Sequence, residues 1–206
     1  MSARDEILAR VKAAVGESTL VDVARSYRRS GWLSDEERTA RFCERVGEYR
    51  AEVRRVNGSV AAAVDAVCAG RGVASLVIPA GLPNAWRPRE IELVEDEQLA
   101  PRELDRIGGA LTGCTAAVAE TGTIVLTAGP HEGRRAITLV PDLHVCVVRE
   151  AQIHELVPEA LDELRRIGAE RRPITFVSGP SATSDIELSR VEGVHGPRRL
   201  VVLVAA

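Results

Sequence analysis

The spacing of apolar residues changes near residue 70. In the first 70 residues, apolar positions recur every three or four residues, which is typical of helices with one buried face. A second helix is predicted over residues 42–56, after a capping pattern that begins at Ser34, and a third over residues 60–69. No strand is predicted in residues 1–70, so we expect an N-terminal helical arm there. The first helix of this arm is predicted from the apolar residues Ile7, Leu8, Val11 and Val15.

After residue 70 the apolar residues come in short continuous runs. Such runs are typical of strands that are buried on both faces, as in a parallel sheet covered on both sides. A helix is predicted over residues 158–167, with Pro158 at its first position. Residues 71–206 are therefore predicted to form one three-layer α/β domain with a mostly parallel sheet. Its strands are predicted over residues 73–78, 123–126, 136–140, 144–148, 174–177 and 200–204.

Composition supports a folded protein and narrows the classes of function. Hydrophobic residues make up 45% of the 206 residues, which is enough for a buried core. Aromatic residues make up only 3% and the net charge is −3, so we expect no nucleic-acid partner. No run reaches the ~18 apolar residues of a membrane span, and no apolar signal-peptide core follows Met1. A cytoplasmic protein without a membrane span is predicted.

The reactive residue types exclude several common mechanisms. The four histidines are dispersed along the sequence, and no metal site is predicted from their spacing. The glycine-rich fingerprints of dinucleotide and P-loop sites, the zincin motif and the hydrolase nucleophile elbow are all missing. No cofactor is therefore assigned. The cysteines are widely separated, so we expect free thiols rather than a zinc site or an iron–sulfur cluster: Cys43, Cys68, Cys114 and Cys146.

Polar, glycine-containing segments lie at the ends of the predicted strands, where open α/β sheets usually bind ligands. In the first segment, residues 112–123, Glu120 is a single carboxylate beside an apolar run. Partial burial would suit Glu120 to proton transfer or nucleophilic attack, whereas capping of nearby backbone amides is the structural alternative. The candidate ligand-binding residues beside it are Thr121, Gly122 and Thr123.

A second segment, residues 129–135, carries two guanidinium groups that could clamp a carboxylate or a phosphate. Arg135 is the candidate ligand-binding residue in this segment. A solvated loop is the alternative interpretation.

The third segment, residues 178–187, follows a predicted strand and offers hydroxyls and backbone amides to an anion. Helix capping by its polar side chains is the alternative. Farther along, His195 lies between Gly193 and Gly196 and is a candidate catalytic residue with Glu120. Residues from all these segments are expected to converge in one cleft at the carboxyl ends of the strands. The candidate ligand-binding residues of the third segment are Gly179, Ser181, Thr183 and Asp185.

Together these segments resemble the motifs of the LUD-domain family, and specifically its lactate-utilisation protein C branch. The resemblance covers about half the chain, and the order and spacing of the motifs agree with it. It implies a fold of the NagB/RpiA/CoA-transferase-like type. The matching segments are residues 112–126, with Ala119-Glu120-Thr121-Gly122-Thr123 at their centre, and residues 139–145, 178–187 and 193–198.

The resemblance also implies a role in oxidising L-lactate to pyruvate with two iron–sulfur partner proteins. This chain has no Cys-rich motif, so it resembles the short, cluster-free member of such a system, which would bind a small anionic ligand. The alternative is a stand-alone enzyme that uses Glu120 as base or nucleophile, because enzymes of this fold act on sugar phosphates, CoA thioesters and folates. Whether the chain is an enzyme stays open, and a homo-oligomer is compatible with an arm that packs over a neighbouring subunit.

Overall fold

A computed structural model describes residues 2–16, 23–24, 26–184, 190–193 and 195–206. The helices are α1 (Ala3–Val15), α2 (Asp35–Glu48), α3 (Val60–Ala69), α4 (Pro101–Leu104) and α5 (Val157–Arg166). The strands are β1 (Glu52–Val56), β2 (Ser75–Ile78), β3 (Glu92–Glu95), β4 (Gly109–Thr112), β5 (Ala116–Val118), β6 (Thr123–Leu126), β7 (Leu143–Arg149), β8 (Ile153–His154), β9 (Thr175–Val177), β10 (Ala182–Ser184), β11 (Arg190–Glu192) and β12 (Arg199–Ala205).

Six of the strands form a parallel central sheet in the order β1-β12-β7-β4-β2-β3. Its two longest strands, β7 and β12, lie side by side, with Val202 opposite Cys146. A second, four-stranded sheet has the order β8-β5-β6-β9, and β10 pairs with β11 in a short antiparallel ribbon. The parallel sheet brings the carboxyl ends of its six strands to one edge and their amino ends to the other.

Alternate side chains of the central sheet enter two separate cores. On one face, Cys146 and Val202 pack with Phe42 of α2 and with the second sheet. On the other face, Val145 and Leu203 pack with helix α3. The predicted α/β fold with a mostly parallel sheet is confirmed. One covering layer is largely a second sheet, and that sheet is in turn covered by α5.

The N-terminal part contributes an edge strand to the central sheet. Helix α2 ends at Glu48, Arg50 has a φ of 64°, and β1 then pairs with β12. The helix predicted over residues 42–56 is therefore confirmed only as far as Glu48, and the expected lack of strands before residue 70 is wrong. Val53 and Val56 are three residues apart, as on a helix face, but they pack against opposite faces of the sheet. Whether residue 70 separates two units stays a prediction.

A second correction concerns residues 136–140, which were expected to form a strand. The structure has a 3-10 helix there, Arg135–Thr138. Ile137 is fully buried, whereas Leu139 is exposed, so the run is covered on one side only. A continuous apolar run cannot distinguish a strand from a short helical turn of this kind.

Helix α1 is present where the sequence predicts it, with a capping box between Ser2 and Asp5. None of its residues is buried, and Ile7 and Val15 are each about three-fifths exposed. The arm therefore covers the sheet through α2 and α3, because only these two of its helices contribute buried side chains.

Within the described ranges, no helix combines the length and the apolar character that a bilayer span needs. In the same ranges, no group of three or more His, Cys, Asp or Glu side chains is placed to hold a metal ion. The cysteines are free thiols: Cys68, Cys114 and Cys146 are buried and Cys43 is half-buried.

Candidate functional site

A cavity of about 210 Å³ lies beside the amino ends of β7 and β12. We refer to it as the small cavity. Its wall includes the predicted ligand-binding residues Arg135, Gly179 and Ser181 and the predicted catalytic residue His195. His144, which the sequence did not single out, lines it as well. The structure thus brings together candidates from three segments that are separated by up to 60 positions in sequence.

The cavity is not at the edge of the sheet where we expected it. His144 and Leu200 are the second residues of β7 and β12, so the cavity adjoins the amino ends of these strands. The expected placement at their carboxyl ends is wrong. Gly179 and Ser181 do follow the carboxyl end of β9, but β9 belongs to the second sheet, where it runs antiparallel to β6.

Arg135 places a positive charge in the wall of the small cavity. Its Nη1 donates hydrogen bonds of 2.9 Å to the carbonyl oxygen and to the hydroxyl of Thr138. Burial lowers the pKa of the guanidinium from its usual value, although arginine stays charged at neutral pH. No carboxylate of the described residues forms an ion pair with Arg135. A half-buried cation of this kind favours an anionic ligand beside it.

His144 adds a neutral polar group to the same wall. Its side chain is 2% exposed, and its Nε2 lies 2.8 Å from the hydroxyl oxygen of Thr112. Burial, together with the charge of Arg135, lowers the pKa of His144 to about 4. The imidazole is therefore uncharged at neutral pH. His144 lies in the family-matching segment 139–145, but it was not named as a site residue because a histidine in a run of valines is typical of a strand core.

Ser181 and His195 are joined by a hydrogen bond in the wall of the small cavity. The backbone N–H of His195 donates to the hydroxyl oxygen of Ser181 at 3.0 Å. The backbone N–H of Ser181 donates to the carbonyl oxygen of Pro197 at 2.8 Å. Thr183 lies in β10, opposite Val191 of β11, and Asp185 lies outside the described residues.

Glu120 lies in the turn between β5 and β6 and does not line the small cavity. Its carboxylate accepts a hydrogen bond of 2.8 Å from Nη2 of Arg28, and its side chain is 54% exposed. The partial burial that would suit Glu120 to proton transfer is therefore not present, and the turn amides are not its partners in the described contacts. A catalytic role for Glu120 stays a prediction.

The threonines after Glu120 connect this turn to the small cavity. The hydroxyl oxygens of Thr121 and Thr123 are 2.8 Å apart, and that of Thr123 is 2.7 Å from the hydroxyl oxygen of Ser178. Ser178 lines the cavity. The three hydroxyls form a continuous chain, so Thr121 and Thr123 support the cavity wall from behind.

Gly122 has a packing role in the same turn. Its φ is +59°, and a Cβ there would lie 2.7 Å from backbone atoms of Arg45 and Val46 in α2. We expect Gly122→Ala to lower the free energy of unfolding by about 1–3 kcal/mol, because both the backbone conformation and the contact oppose a side chain. Urea denaturation measures this change. Gly47→Ala in α2 is the control: no atom lies within 4 Å of its Cβ position, so stability should stay the same or rise. Equal effects of the two substitutions would contradict the packing role.

The fold and the small cavity define a class: an α/β protein with a parallel central sheet and a cationic cavity beside it. A sequence model of the LUD domain matches residues 83–205, which is more than half of the chain. The chain belongs to the LUD domain family, and the resemblance found in its motifs is confirmed.

Individual relatives agree with this assignment. A protein of Deinococcus radiodurans named lactate utilization protein C is 46% identical over 174 residues, covering 84% of this chain and 81% of the relative. A protein of the same name from Halalkalibacterium halodurans is 33% identical over 60% of this chain and 56% of its own length. A crystal structure described as a DUF162 family protein from Deinococcus radiodurans has a TM-score of 0.73 and 37% identity, and covers 85% of this chain and 100% of that chain.

Proposed function

We propose that this protein is a component of an L-lactate utilisation system and that its small cavity binds a small carboxylate such as lactate or pyruvate. The observation that supports an anionic ligand is Arg135, a half-buried guanidinium without a carboxylate partner among the described residues. The role in lactate utilisation is supported by the name that two relatives share, lactate utilization protein C.

The cavity has the size and the polar groups for such a ligand. Its volume of about 210 Å³ is below the range of about 300–1,000 Å³ that is typical of drug-sized ligands, and it suits a three-carbon acid. Arg135 uses Nη1 for Thr138, which leaves Nε and Nη2 as donors for a carboxylate. Nδ1 of the neutral His144 imidazole, whose Nε2 faces Thr112, and the hydroxyl of Ser181 are then available to the hydroxyl of lactate or the keto group of pyruvate.

Oxidation of lactate to pyruvate releases two electrons and two protons, and the electrons need an acceptor. We propose that iron–sulfur partner proteins take them up, as the family resemblance implies, and that the complex works in the cytoplasm. This chain would then bind and orient the small acid within the complex.

A gene deletion tests the role in the cell. We expect the deletion strain to grow poorly on L-lactate as sole carbon source and normally on pyruvate. A plasmid copy with Arg102→Gln, a change at an exposed arginine of α4, should restore growth, whereas a copy with Arg135→Gln should not. Normal growth of the deletion strain on lactate, with no second copy of the gene, would contradict the proposal. That result would favour the alternative, a stand-alone enzyme that uses Glu120 as base or nucleophile, which Glu120→Gln would test.

Ligand binding is tested separately by calorimetry and thermal shift on the purified protein. We expect lactate or pyruvate to bind and to raise the melting temperature by mass action. Arg135→Gln should weaken binding by about 10- to 100-fold, the range for losing a charged hydrogen-bond donor. Arg102→Gln should bind like the unchanged protein. Equal affinity in both variants would show that Arg135 does not hold the acid.

A further inference from the structure

A second, larger cavity lies at the opposite end of β7. Its volume is about 550 Å³, and it adjoins the carboxyl ends of β4 and β7, where Cys114 follows β4 and Arg149 ends β7. His144 of the small cavity is five residues earlier on β7, which corresponds to about 16 Å along a strand. The two cavities share no lining residue. We refer to this one as the large cavity.

Three arginines and two glutamates line the large cavity, and both glutamates are already engaged. Glu163 accepts two hydrogen bonds of 2.6 Å from Arg166. Glu132, which is 3% exposed, accepts backbone hydrogen bonds from Thr127 at 2.6 Å and from Gly129 at 2.9 Å. The two backbone hydrogen bonds to Glu132 fix the loop of residues 129–132, which forms one wall of the cavity. This wall is therefore ordered before any ligand binds.

The other two arginines have no such partners. The backbone N–H of Arg149 donates to Oε1 of Gln152 at 3.0 Å, but the guanidinium groups of Arg149 and Arg172 form no ion pair or hydrogen bond with any residue in the described ranges. They come from different elements, the end of β7 and the loop between α5 and β9, and both are exposed. His154 adds no charge at neutral pH, because burial lowers its pKa from the usual value. The arginines and glutamates of the lining therefore sum to a charge of +1, and the guanidinium groups of Arg149 and Arg172 are not engaged in ion pairs within the described ranges.

We propose that the large cavity binds a phosphorylated ligand of nucleotide size, with Arg149 and Arg172 contacting its phosphate groups. Guanidinium groups match phosphate oxygens with paired hydrogen bonds, and two of them suit a ligand with more than one negative charge. The volume lies within the range of about 300–1,000 Å³ for cofactor-sized ligands and exceeds what a three-carbon acid fills. The position agrees with the general preference of ligands for the carboxyl ends of parallel strands.

Calorimetric titration of the full chain with inorganic pyrophosphate tests the charge requirement. We expect binding that Arg149→Gln and Arg172→Gln each weaken about tenfold or more, the range for one charged hydrogen bond. Both positions are exposed, so the melting temperature without pyrophosphate should stay unchanged. Arg102 lines none of the described cavities, so the Arg102→Gln variant should bind pyrophosphate as the unchanged protein does. No binding, or equal weakening by all three substitutions, would overturn the proposal.

The size of the ligand needs its own comparison. ADP should bind at least as tightly as pyrophosphate, and adenosine, which has no phosphate, should not bind measurably. If pyrophosphate binds but ADP does not, the large cavity is a simple anion site and the proposed nucleotide-sized ligand is wrong. Arg135→Gln should leave pyrophosphate and ADP binding intact, so a failure here is distinguishable from a failure of the lactate proposal.

Discussion

A chain that begins at residue 71 is expected not to fold into a stable monomer. Without β1, strand β12 becomes an open edge of the central sheet. Both faces of the sheet also lose their cover, because α2 and α3 contribute five side chains of 0% exposure: Phe42, Val46, Val64, Val67 and Cys68. At about 1.5–3 kcal/mol for each large side chain, the loss is comparable to the whole stability of about 5–15 kcal/mol of a typical domain.

The matched control is a chain that lacks residues 1–16. Helix α1 has no buried residue, so this shorter deletion should leave the free energy of unfolding unchanged. Size-exclusion chromatography and urea denaturation compare both truncated chains with the full protein. If residues 71–206 alone stay soluble, monomeric and as stable as the full chain, the N-terminal arm is dispensable and residue 70 is a domain boundary.

The parts of the fold that the sequence predicted are the strands buried on both faces. Strands β7 and β12 are continuous runs of apolar residues because their side chains enter both cores. The edge strand β1 was missed because Arg54 and Arg55 make surface ion pairs there and interrupt the apolar run. Strand β4 was missed because it begins with a glycine, a residue that is uncommon in strands. The packing explains the glycine, since a Cβ at Gly109 would lie 3.0 Å from side-chain atoms of Leu76 and Leu143 in the neighbouring strands.

The candidate site was predictable in its residue types more than in its position. Arg135, Ser181 and His195 were found because hydroxyls, glycines and an arginine stand out beside apolar runs. Their place at the amino ends of β7 and β12 depends on how the second sheet packs on the first. Local patterns of apolar and polar residues do not reveal such long-range packing. The partner of Glu120 was equally hidden, since Arg28 lies 92 positions away.

Acid is expected to destabilise the protein through His144. Its pKa is lowered from 6.5 to about 4 in the folded protein, whereas the unfolded chain binds the proton near the usual pKa. The unfolded state therefore takes up a proton first as the pH falls. The stabilisation is fully present above pH 6.5 and is lost progressively between pH 6.5 and about pH 4. A shift of this size corresponds to about 3 kcal/mol in the free energy of unfolding.

The substitution His144→Gln isolates this contribution, because glutamine keeps a polar group toward Thr112 and does not titrate. Urea denaturation between pH 7 and pH 4 should show a loss of stability that is about 3 kcal/mol smaller in this variant than in the unchanged protein. Arg102→Gln, which alters an exposed group that stays charged throughout this range, should lose as much as the unchanged protein. NMR titration of the unchanged protein is the independent measurement, and the His144 ring should stay neutral down to about pH 5. Parallel curves for the two variants, or protonation of His144 near pH 6.5, would show that the imidazole of the small cavity is accessible to water and charged in weak acid.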